Sequence, residues 1–425
     1  MRASRLILMA LVLAAGAVAA PFDGSWEVTV TRFGEPSYSR ATFETSGDKL
    51  TGKWDGFPIE GTARGETVAF AAHTKDGKPV GEFKGTMLVG VLVGTAKIRN
   101  DNASWTAQRL TERTAGAPKA HRYMPRQFSR VFSSQVEPVL HLFPGDSVST
   151  RTLDAGGYDA NHVRRSMGGN PLTGPFFIEN AWPGDTLAVR FTRIRVNRDS
   201  AFHSDGIVGS AFDPYYLKDL KPVENFDSDW KLDAERGIAV LKNATEKLKN
   251  LSVKISPMLG CVGVAPEGRN SLQSGNLGSF GGNMDYNQIR EGVTLYLPVY
   301  HPGALLFVGD GHAVQGDGEL TGDALETSMD VEFTVDVVQG LPLDMPRAEN
   351  DEYVMALGVG NSLPDALQAA TTNMAKWLER DYKLNSAEVA VVLGTSMRYD
   401  IAEIVDPRVN LVAKVPKSVL AQLRP

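Results

Sequence analysis

Hydrophobic and polar residues alternate in short runs over the first quarter of the chain. Residues 25–30 and 67–71 place large apolar side chains at every second position, as strands with one buried face do. Pairs such as Asp55-Gly56 separate the runs. Strands that recur every 8–12 residues or so, with glycine-containing turns, predict an up-and-down sheet or small barrel. We therefore expect a small all-β accessory domain over residues 20–112, with a structural or partner-binding role.

The pattern changes after residue 112. Residues 113–136 are basic, contain serine and proline, and show few strand cues, so they are predicted to be a linker. Beyond them the chain returns to β-prone runs such as residues 187–196, whose alternation fits a half-exposed strand. Residues 239–248 are instead prone to form helix. The 42 glycines favour a turn-rich architecture over a helix bundle.

Helical spacing of apolar residues dominates only after about residue 363. Residues 364–378 show it and begin with a proline, which suits a first helical turn. Residues 386–394 read as a second helix, with Asn385 or Ser386 as N-cap and the final glycine as the stop. We predict a mixed, β-dominated fold: the N-terminal antiparallel barrel or sheet, then a β-rich α+β body over residues 137–425 that closes in a C-terminal α/β segment.

The first 19 residues have the pattern of an export signal. Arg2 and Arg5 precede an apolar stretch over residues 6–15, and an Ala-Val-Ala sequence follows at residues 17–19, as in a cleavable signal peptide. The alternative is an uncleaved membrane anchor, for which the apolar stretch is short. The sequence predicts a periplasmic or secreted protein that is soluble and free of the membrane after cleavage.

Charge and cysteine content narrow the function further. The formal net charge of −6 gives no electrostatic basis for nucleic-acid binding. A single cysteine excludes an intramolecular disulfide. Cys261 lies among small and apolar residues, and burial there makes a thiol inert. The sequence therefore weighs against a cysteine-nucleophile hydrolase.

Candidate chemistry is concentrated in two glycine-rich blocks, residues 281–285 and 309–319. Each adjoins an apolar run, so their polar side chains are expected at strand ends, where a rigid sheet can hold them together. His312 and Asp285 are the strongest candidates for metal binding or catalysis; a loop-fixing histidine and a turn-capping aspartate are the alternatives. Glu319 and Glu326 are further candidates, with solvated or ion-paired surface residues as the alternative reading.

These blocks also carry a resemblance to a known family. The segments over residues 298–305 and 309–319 resemble the signature of the acetamidase/formamidase family. Further segments resemble it in the same order, at residues 153–155, 170–175, 181–185 and 260–266. The resemblance covers roughly residues 137–420 and leaves the predicted N-terminal domain outside.

The resemblance implies a metal-dependent hydrolase of a small linear amide, with ammonia and a carboxylate as products. It implies that Asp154, Asp285 and His312 hold a divalent metal. Glu319 or Glu326 would move protons, while Asn283, Gln315 and Gly282 would contact the substrate. Carboxylates with one histidine suit zinc first, with manganese as an alternative; a purely oxygen-based site suits calcium. A homo-oligomer is left open.

The sequence departs from the family pattern at two positions near the second block. Thr321 stands where many members have cysteine, and Asp323 where they have a small hydroxyl residue. These departures leave two other functions open: an exported ligand-binding protein that has lost activity, or a hydrolase of another bond such as a lactone or ester.

Overall fold

The N-terminal unit is a closed antiparallel barrel of eight strands that pair in chain order. The computed structural model describes residues 22–110, 116–221, 223 and 225–423, so the predicted signal segment lies outside it. The strands are β1 (Gly24–Arg32), β2 (Glu35–Ser46), β3 (Lys49–Trp54), β4 (Phe57–Arg64), β5 (Thr67–His73), β6 (Pro79–Leu88), β7 (Val91–Ile98) and β8 (Asp101–Arg109). The predicted small barrel is confirmed.

Aromatic side chains fill the inside of this barrel. The ring centroids of Trp54 and Phe83 lie 4.1 Å apart, and Phe70 stacks on Phe83 at 4.9 Å. Trp26 and Trp105 are each 1% exposed. The alternation of the strands therefore serves to build a packed core.

Two details of the barrel differ from the sequence pattern. The sequence of strand β3 does not show a clear alternation of apolar and polar residues, because Gly52 interrupts it; this glycine adopts φ of +142°. The apolar run over residues 87–96 is not one strand but a hairpin, since Val89 and Gly90 both have positive φ. A two-residue turn with positive φ at both positions matches the twist of adjacent antiparallel strands, and this explains the break.

The second unit, Glu112–Pro425, contains the remaining elements. Its strands are β9 (Ala120–Arg122), β10 (Val131–Ser133), β11 (Leu140–Leu142), β12 (Ser147–Arg151), β13 (Leu172–Ile178), β14 (Thr186–Val196), β15 (Ser200–Ala201), β16 (Trp230–Asp233), β17 (Ile238–Leu241), β18 (Ser252–Lys254), β19 (Met258–Gly263), β20 (Ser271–Gln273), β21 (Leu277–Gly278), β22 (Gly281–Asn283), β23 (Thr294–Pro298), β24 (Leu306–His312), β25 (Met329–Val338), β26 (Arg347–Glu349), β27 (Tyr353–Gly360), β28 (Arg398–Glu403) and β29 (Val409–Pro416). The helices are α1 (Pro214–Asp219), α2 (Leu363–Tyr382), α3 (Ser386–Ser396) and α4 (Lys417–Leu420), with a 3₁₀ turn at Gly209–Ala211.

Two large sheets of this unit enclose a common apolar core. One has nine strands in the order β28-β29-β27-β26-β23-β14-β25-β12-β9, and the other has six in the order β11-β13-β24-β19-β22-β21. Phe176 of the six-stranded sheet meets Phe333 of the nine-stranded sheet edge-on at 5.4 Å. Smaller sheets are β15-β16-β17-β18 and β10-β20. The β-rich body predicted from the sequence is confirmed.

The C-terminal helices cover the outer face of the nine-stranded sheet. Helix α2 approaches β27 so closely that a Cβ added at Gly358 would lie 2.2 Å from the backbone nitrogen of Ala370. Asn385 caps α3 in a capping box with Glu388, as expected, but the helix continues past Gly394 to Ser396. A glycine stops a helix only where the chain adopts positive φ, and Gly394 is not among the positive-φ glycines.

Two other segments differ from expectation. The predicted linker contributes β9, which pairs in parallel with β12, and β10, which pairs with β20. The helix-prone stretch over residues 239–248 instead contains part of β17, which pairs with both β16 and β18. Tertiary pairing outweighs a weak local preference in both places. None of the helices in the described residues combines the length and apolar character needed to cross a membrane.

Candidate active site

The two glycine-rich blocks of the sequence come together on adjacent strands of the six-stranded sheet. Strand β19 lies between β22 and β24 and pairs with both, so Cys261 faces Asn283 on one side and Gly309 on the other. All residues of these three strands are buried. Apolar runs therefore fix the sheet, and the polar residues at its strand ends converge at one place.

His312 lies at the centre of this place, among four carboxylates. Its Nε2 atom is 3.1 Å from Glu326 Oε1, 3.5 Å from Asp310 Oδ1 and 4.0 Å from Asp285 Oδ1. Glu319 completes a second group with His312 and Asp285, in which one ligand atom of each residue lies within 4.8 Å of the others. We call these five residues the histidine–carboxylate cluster. All five are buried.

In three of the carboxylates one oxygen accepts a hydrogen bond and the other makes none. Asp285 Oδ2 accepts from Asn283 Nδ2 at 2.5 Å, Asp310 Oδ2 from Asn170 Nδ2 at 3.0 Å, and Glu326 Oε1 from the backbone of Ala324 at 3.1 Å. The remaining oxygens, Asp285 Oδ1, Asp310 Oδ1 and Glu326 Oε2, are buried and make no hydrogen bond, and neither does His312 Nε2.

This arrangement fits a bound divalent cation. A buried polar atom without a partner is costly, and four of them face one another here. In a tetrahedral zinc site with ligand bonds near 2.1 Å, ligand atoms lie about 3.4 Å apart, close to the separations around His312 Nε2. The hydrogen bonds to the other oxygens act as the outer partners that orient metal ligands.

Gly260 provides the space for the cluster. A Cβ atom at this position would lie 2.2 Å from Asp285 Oδ1, 2.7 Å from Asp310 Oδ2 and 3.1 Å from His312 Cε1. The strand pairing between β19 and β24 is interrupted at Gly260 and Asp310 and resumes in the same register on either side. No side chain larger than hydrogen fits without displacing the acidic groups.

Three residues of the cluster have a left-handed backbone conformation. Asp285, Asp310 and Glu319 have φ of 40°, 57° and 48°, in the left-handed region that residues other than glycine seldom adopt. Such conformations persist where the surrounding structure imposes them, and they are enriched at functional sites.

The electrostatics of the cluster follow from burying like charges together. Burial, then repulsion from Glu319 and Asp310, raises the pKa of Asp285 well above its usual range. Burial also raises the pKa of Glu319 well above its usual range and that of Glu326 to about 7. Burial alone would lower the pKa of His312, but Glu326 and Asp310 outweigh it and raise that pKa well above 6.5. The site therefore attracts positive charge.

Gln315 fixes the ring of His312. It is not among the residues that line the small pocket above the cluster, which is described below. Its Oε1 accepts a hydrogen bond from His312 Nδ1 at 2.9 Å, and its Nε2 donates to the backbone oxygens of Asp285 and Ala402. The proton of His312 is thus held on Nδ1, and Nε2 is directed at the carboxylates. The amide of Gln315 has no free donor for the substrate contact expected from the sequence.

Asn283 and Gly282 differ from each other in their position. Asn283 lines the pocket above the cluster, where its amide donates to Asp285 and Asp406 and accepts from Asn170. Gly282 is fully enclosed, and a Cβ there would lie 2.2 Å from the carbonyl oxygen of Asn276. Its contribution is to backbone packing beside the site.

The structure does not bring Asp154 into the cluster. Its carboxylate lies 2.6 Å from Arg198 Nη1 in a buried ion pair and accepts a hydrogen bond from the backbone of Tyr158. Arg198 in turn donates to the backbone oxygen of Glu326. Asp154 therefore supports the segment that carries Glu326.

A pocket of about 360 Å³ opens above the cluster, at the small end of ligand sites in proteins. Three members of the cluster, Asp310, Glu319 and Glu326, line it together with Asp406 and the exposed Arg130. A pocket of this size and acidity suits a small polar molecule beside a cation.

Comparison with known proteins identifies a family that this chain is similar to. A sequence model of the acetamidase/formamidase family matches residues 276–422. The solved acetamidase of Yersinia enterocolitica is 28% identical and superposes with a TM-score of 0.61, over 72% of this chain and 94% of its own. The acetamidase of Bacillus halodurans is 25% identical with a TM-score of 0.59, over 72% and 100%. Over residues 276–422 this chain is therefore similar to the acetamidase/formamidase family.

A curated relative is similar to this chain over a shorter segment. A protein of Schizosaccharomyces pombe that bears the name formamidase is 26% identical over 196 residues, which make up 35% of this chain and 47% of that protein. The chain thus spans about half the length of this relative. The segment that matches the model of the acetamidase/formamidase family contains the whole histidine–carboxylate cluster.

The two departures from the family pattern lie beside the pocket. Thr321 Oγ1 lies 3.1 Å from His203 Nε2 and donates to the backbone oxygen of Asp323. Asp323 lines the pocket and accepts a hydrogen bond from Ser204. Both side chains are therefore bound within the wall of the pocket and leave the cluster intact.

Four residues of the site were not singled out from the sequence: Asp310, which lies inside the second glycine-rich block, and Asp406, Asn170 and Gly260. Asp406, from the loop between β28 and β29, accepts from Asn283 Nδ2 at 2.6 Å, and burial raises its pKa to about 6. Asn170 donates to Asp310, and Gly260 leaves room for the cluster. Asn170 and Gly260 fall within segments that resemble the acetamidase/formamidase family, and this resemblance could have indicated them as site residues. Asp406 had no such signal.

Proposed function

We propose that this protein is a metal-dependent hydrolase that cleaves the C–N bond of a small linear amide, releasing ammonia and a carboxylate. The observation that carries the proposal is the set of four buried, unpartnered atoms of His312, Asp285, Asp310 and Glu326, in a cluster of which Asp310 and Glu326 line a small pocket. The family of residues 276–422 supports amide hydrolysis as the reaction class.

In this proposal His312, Asp285, Asp310 and Glu326 hold the cation. When bound, a divalent ion supplies Lewis-acid polarisation of a carbonyl and lowers the pKa of a water molecule. Zinc is the first candidate because a neutral imidazole with carboxylates suits it, and manganese and calcium are the alternatives. Gln315 keeps the His312 proton on Nδ1 so that Nε2 remains available as a ligand.

Glu319 is the residue that moves protons. It lines the pocket, and its carboxylate is not among the buried oxygens that lack a hydrogen bond. Burial among like charges raises its pKa, so it can take a proton from the attacking water and deliver it to the departing nitrogen. Asn283 and Asp406 shape the wall against which the substrate lies.

The test is ammonia release across a panel of amides, with metal analysis of the purified protein. We expect release from short linear amides, loss of release after chelation, and recovery when zinc or manganese is returned. Turnover of esters or lactones without ammonia would point to hydrolysis of another bond. Metal-free protein that binds amides without turnover would point to a ligand-binding protein instead.

We also propose that the mature protein acts in the periplasm or outside the cell. The support is the sequence pattern of residues 1–19, with two arginines, an apolar stretch and an Ala-Val-Ala sequence. N-terminal sequencing of the exported protein should begin at Ala20 or Pro21. A soluble cytoplasmic protein that retains Met1 would contradict export.

A further inference from the structure

A second cavity, of about 620 Å³, lies on the outer face of the nine-stranded sheet, next to helices α2 and α4. Strand alternation creates it. Leu295 and Leu297 of β23 face the core between the sheets, so Tyr296 between them points outward. On β26, Ala348 likewise faces that core, and Arg347 and Glu349 point to the helices. We call this cavity the outer pocket.

Arg347 is the unusual residue of the outer pocket. The residue as a whole is 5% exposed to solvent. One edge of its guanidinium is occupied, since Nε donates to Asn373 Oδ1 at 2.8 Å and Nη2 to the Asn373 backbone oxygen. Its carbon Cζ lies 5.0 Å from the ring centroid of Trp377. The remaining nitrogen, Nη1, is buried and has no hydrogen-bond partner.

The other charged residues of the outer pocket already have partners. Glu349 pairs with Lys417 at 2.6 Å and accepts a hydrogen bond from the Tyr296 hydroxyl at 2.5 Å. Arg380 pairs with Asp381 through two contacts. Within the described part of the chain, no carboxylate lies within the 4.0 Å of an ion pair from Arg347, whose only polar partner is the neutral Asn373.

A buried cation without an anionic partner is unfavourable, and the energetics here show it. Burial, then repulsion from Arg380, outweighs attraction from the more distant Asp381 and Asp344 and lowers the pKa of the Arg347 guanidinium to about 10. A guanidinium retains its charge at neutral pH even so. The outer pocket therefore carries one positive charge in excess, beside apolar and aromatic walls that include Leu343, Val354 and Trp377.

We propose that the outer pocket binds a small organic carboxylate with a flat, apolar body. The carboxylate pairs with the free Nη1 side of Arg347, where a charge-assisted hydrogen bond satisfies the unpartnered donor. The apolar body lies against Trp377 and the leucine and valine side chains. A single excess charge and an apolar lining favour a monocarboxylate over inorganic phosphate, which would have to bury more charge.

The outer pocket is separate from the active-site pocket. In the described structure the two cavities share no lining residue, and the inter-sheet core lies behind Tyr296 and Arg347. The inference therefore stands independently of the proposed amide hydrolysis.

Calorimetric titration of the purified full-length protein tests the inference, with benzoate as the probe. Acetophenone, which has a similar shape without the charge and has no C–N bond to cleave, and inorganic phosphate, which has charge without the apolar body, serve as comparison ligands. We expect benzoate to bind at least tenfold more tightly than either. Equal binding of acetophenone, or tighter binding of phosphate, would overturn the proposal.

Three variants locate the binding. Arg347→Gln should weaken benzoate binding at least tenfold, and Leu341→Trp, which fills the cavity and keeps Arg347, should do the same. Lys376→Gln is the matched control, because it removes one positive charge from α2 at an exposed ion pair with Asp344 outside the cavity. It should leave the affinity within twofold.

A fourth variant separates the two pockets. His312→Ala alters the active site, so benzoate that binds in the outer pocket should bind this variant with unchanged affinity. Loss of binding in His312→Ala, or full affinity in Leu341→Trp with a normal thermal unfolding midpoint, would place the ligand elsewhere and refute the inference.

Discussion

At the scale of single residues, the site is built from carboxylates whose two oxygens do different things. One oxygen of Asp285, Asp310 and Glu326 accepts a hydrogen bond that fixes the group, and the other is buried without a hydrogen bond. This division explains how a set of like charges can be buried together: each is oriented by the protein and shares one counter-charge.

Replacing His312 tests the central ligand. His312→Ala should reduce the bound metal per chain and lower turnover by at least ~100-fold, because one imidazole ligand is lost. Metal analysis and ammonia release measure both effects. His141→Ala is the matched control, since His141 is an exposed histidine that pairs with Glu179 away from the cluster. A His312→Ala protein with full metal content and near-normal rate would remove His312 from the site.

Gly260 can be tested by adding a single methyl group. Gly260→Ala places Cβ 2.2 Å from Asp285 Oδ1, so the carboxylate must move and we expect metal content and turnover to fall by ~10-fold or more. Gly316→Ala is the control, because a Cβ there meets no atom within 4 Å. If the two variants had equal activity and metal content, Gly260 would not define the space of the site.

The sequence identified much of the cluster at this scale, but not all of it. Asp285, His312 and Glu319 come from glycine-rich blocks whose composition is unusual, Glu326 follows the second block by seven residues, and the structure brings all four together. The hydrogen bond between Asn283 and Asp406 could not be predicted, because Asp406 approaches from a loop more than a hundred positions away in the sequence. Asp154 was selected by resemblance alone, and its buried partner Arg198 follows no sequence pattern.

At the scale of elements, regular alternation predicted strands well and turns less well. Strand β14 and helix α2 lie where the periodicity placed them, to within a few residues. The short strands β9 and β10 were not predicted, because three residues are too few to show a period of two. Their strand conformation comes from the pairing partners, which the local sequence does not contain.

The β6–β7 turn gives a stability prediction. Val89 is fully exposed and has φ of 50°, which is strained for a β-branched residue. Val89→Asn should raise the free energy of unfolding by ~1 kcal/mol, because asparagine followed by glycine suits this turn. Chemical denaturation measures the change. The same substitution at Val93, within β7, should destabilise; stabilisation at Val93 and not at Val89 would contradict the explanation.

At the scale of the whole molecule, stability should depend on pH through Glu403. This carboxyl is buried at the end of β28, and burial together with Asp406 raises its pKa to about 8 from 4.5. The folded state therefore holds a proton that the unfolded state releases between pH 4.5 and 8, so stability is greatest below this window and is lost as pH rises through it.

Glu403→Gln should weaken this pH dependence. Glutamine keeps an oxygen for the backbone N–H groups of Val405 and Asp406 that Glu403 Oε2 accepts and cannot ionise. Thermal unfolding midpoints of both proteins between pH 5 and 9 measure the effect, and we expect the variant to lose less stability over that range. Glu332→Gln, at an exposed pair with Arg193, is the control. Parallel pH curves for wild type and Glu403→Gln would contradict the buried-proton account.

The pairing of strands also predicts the order in which the two units fold during synthesis on the ribosome. In the barrel, every pair except β1–β8 joins neighbours in sequence, so it can form as soon as its last strand emerges, since local contacts form quickly. In the second unit, β14 must wait for β25, and the loop that carries Asp285 is fastened by Asn410 of β29. Protease digestion of ribosome-stalled chains should therefore find the barrel protected long before the cluster. Catalytic competence arrives only with the final strand.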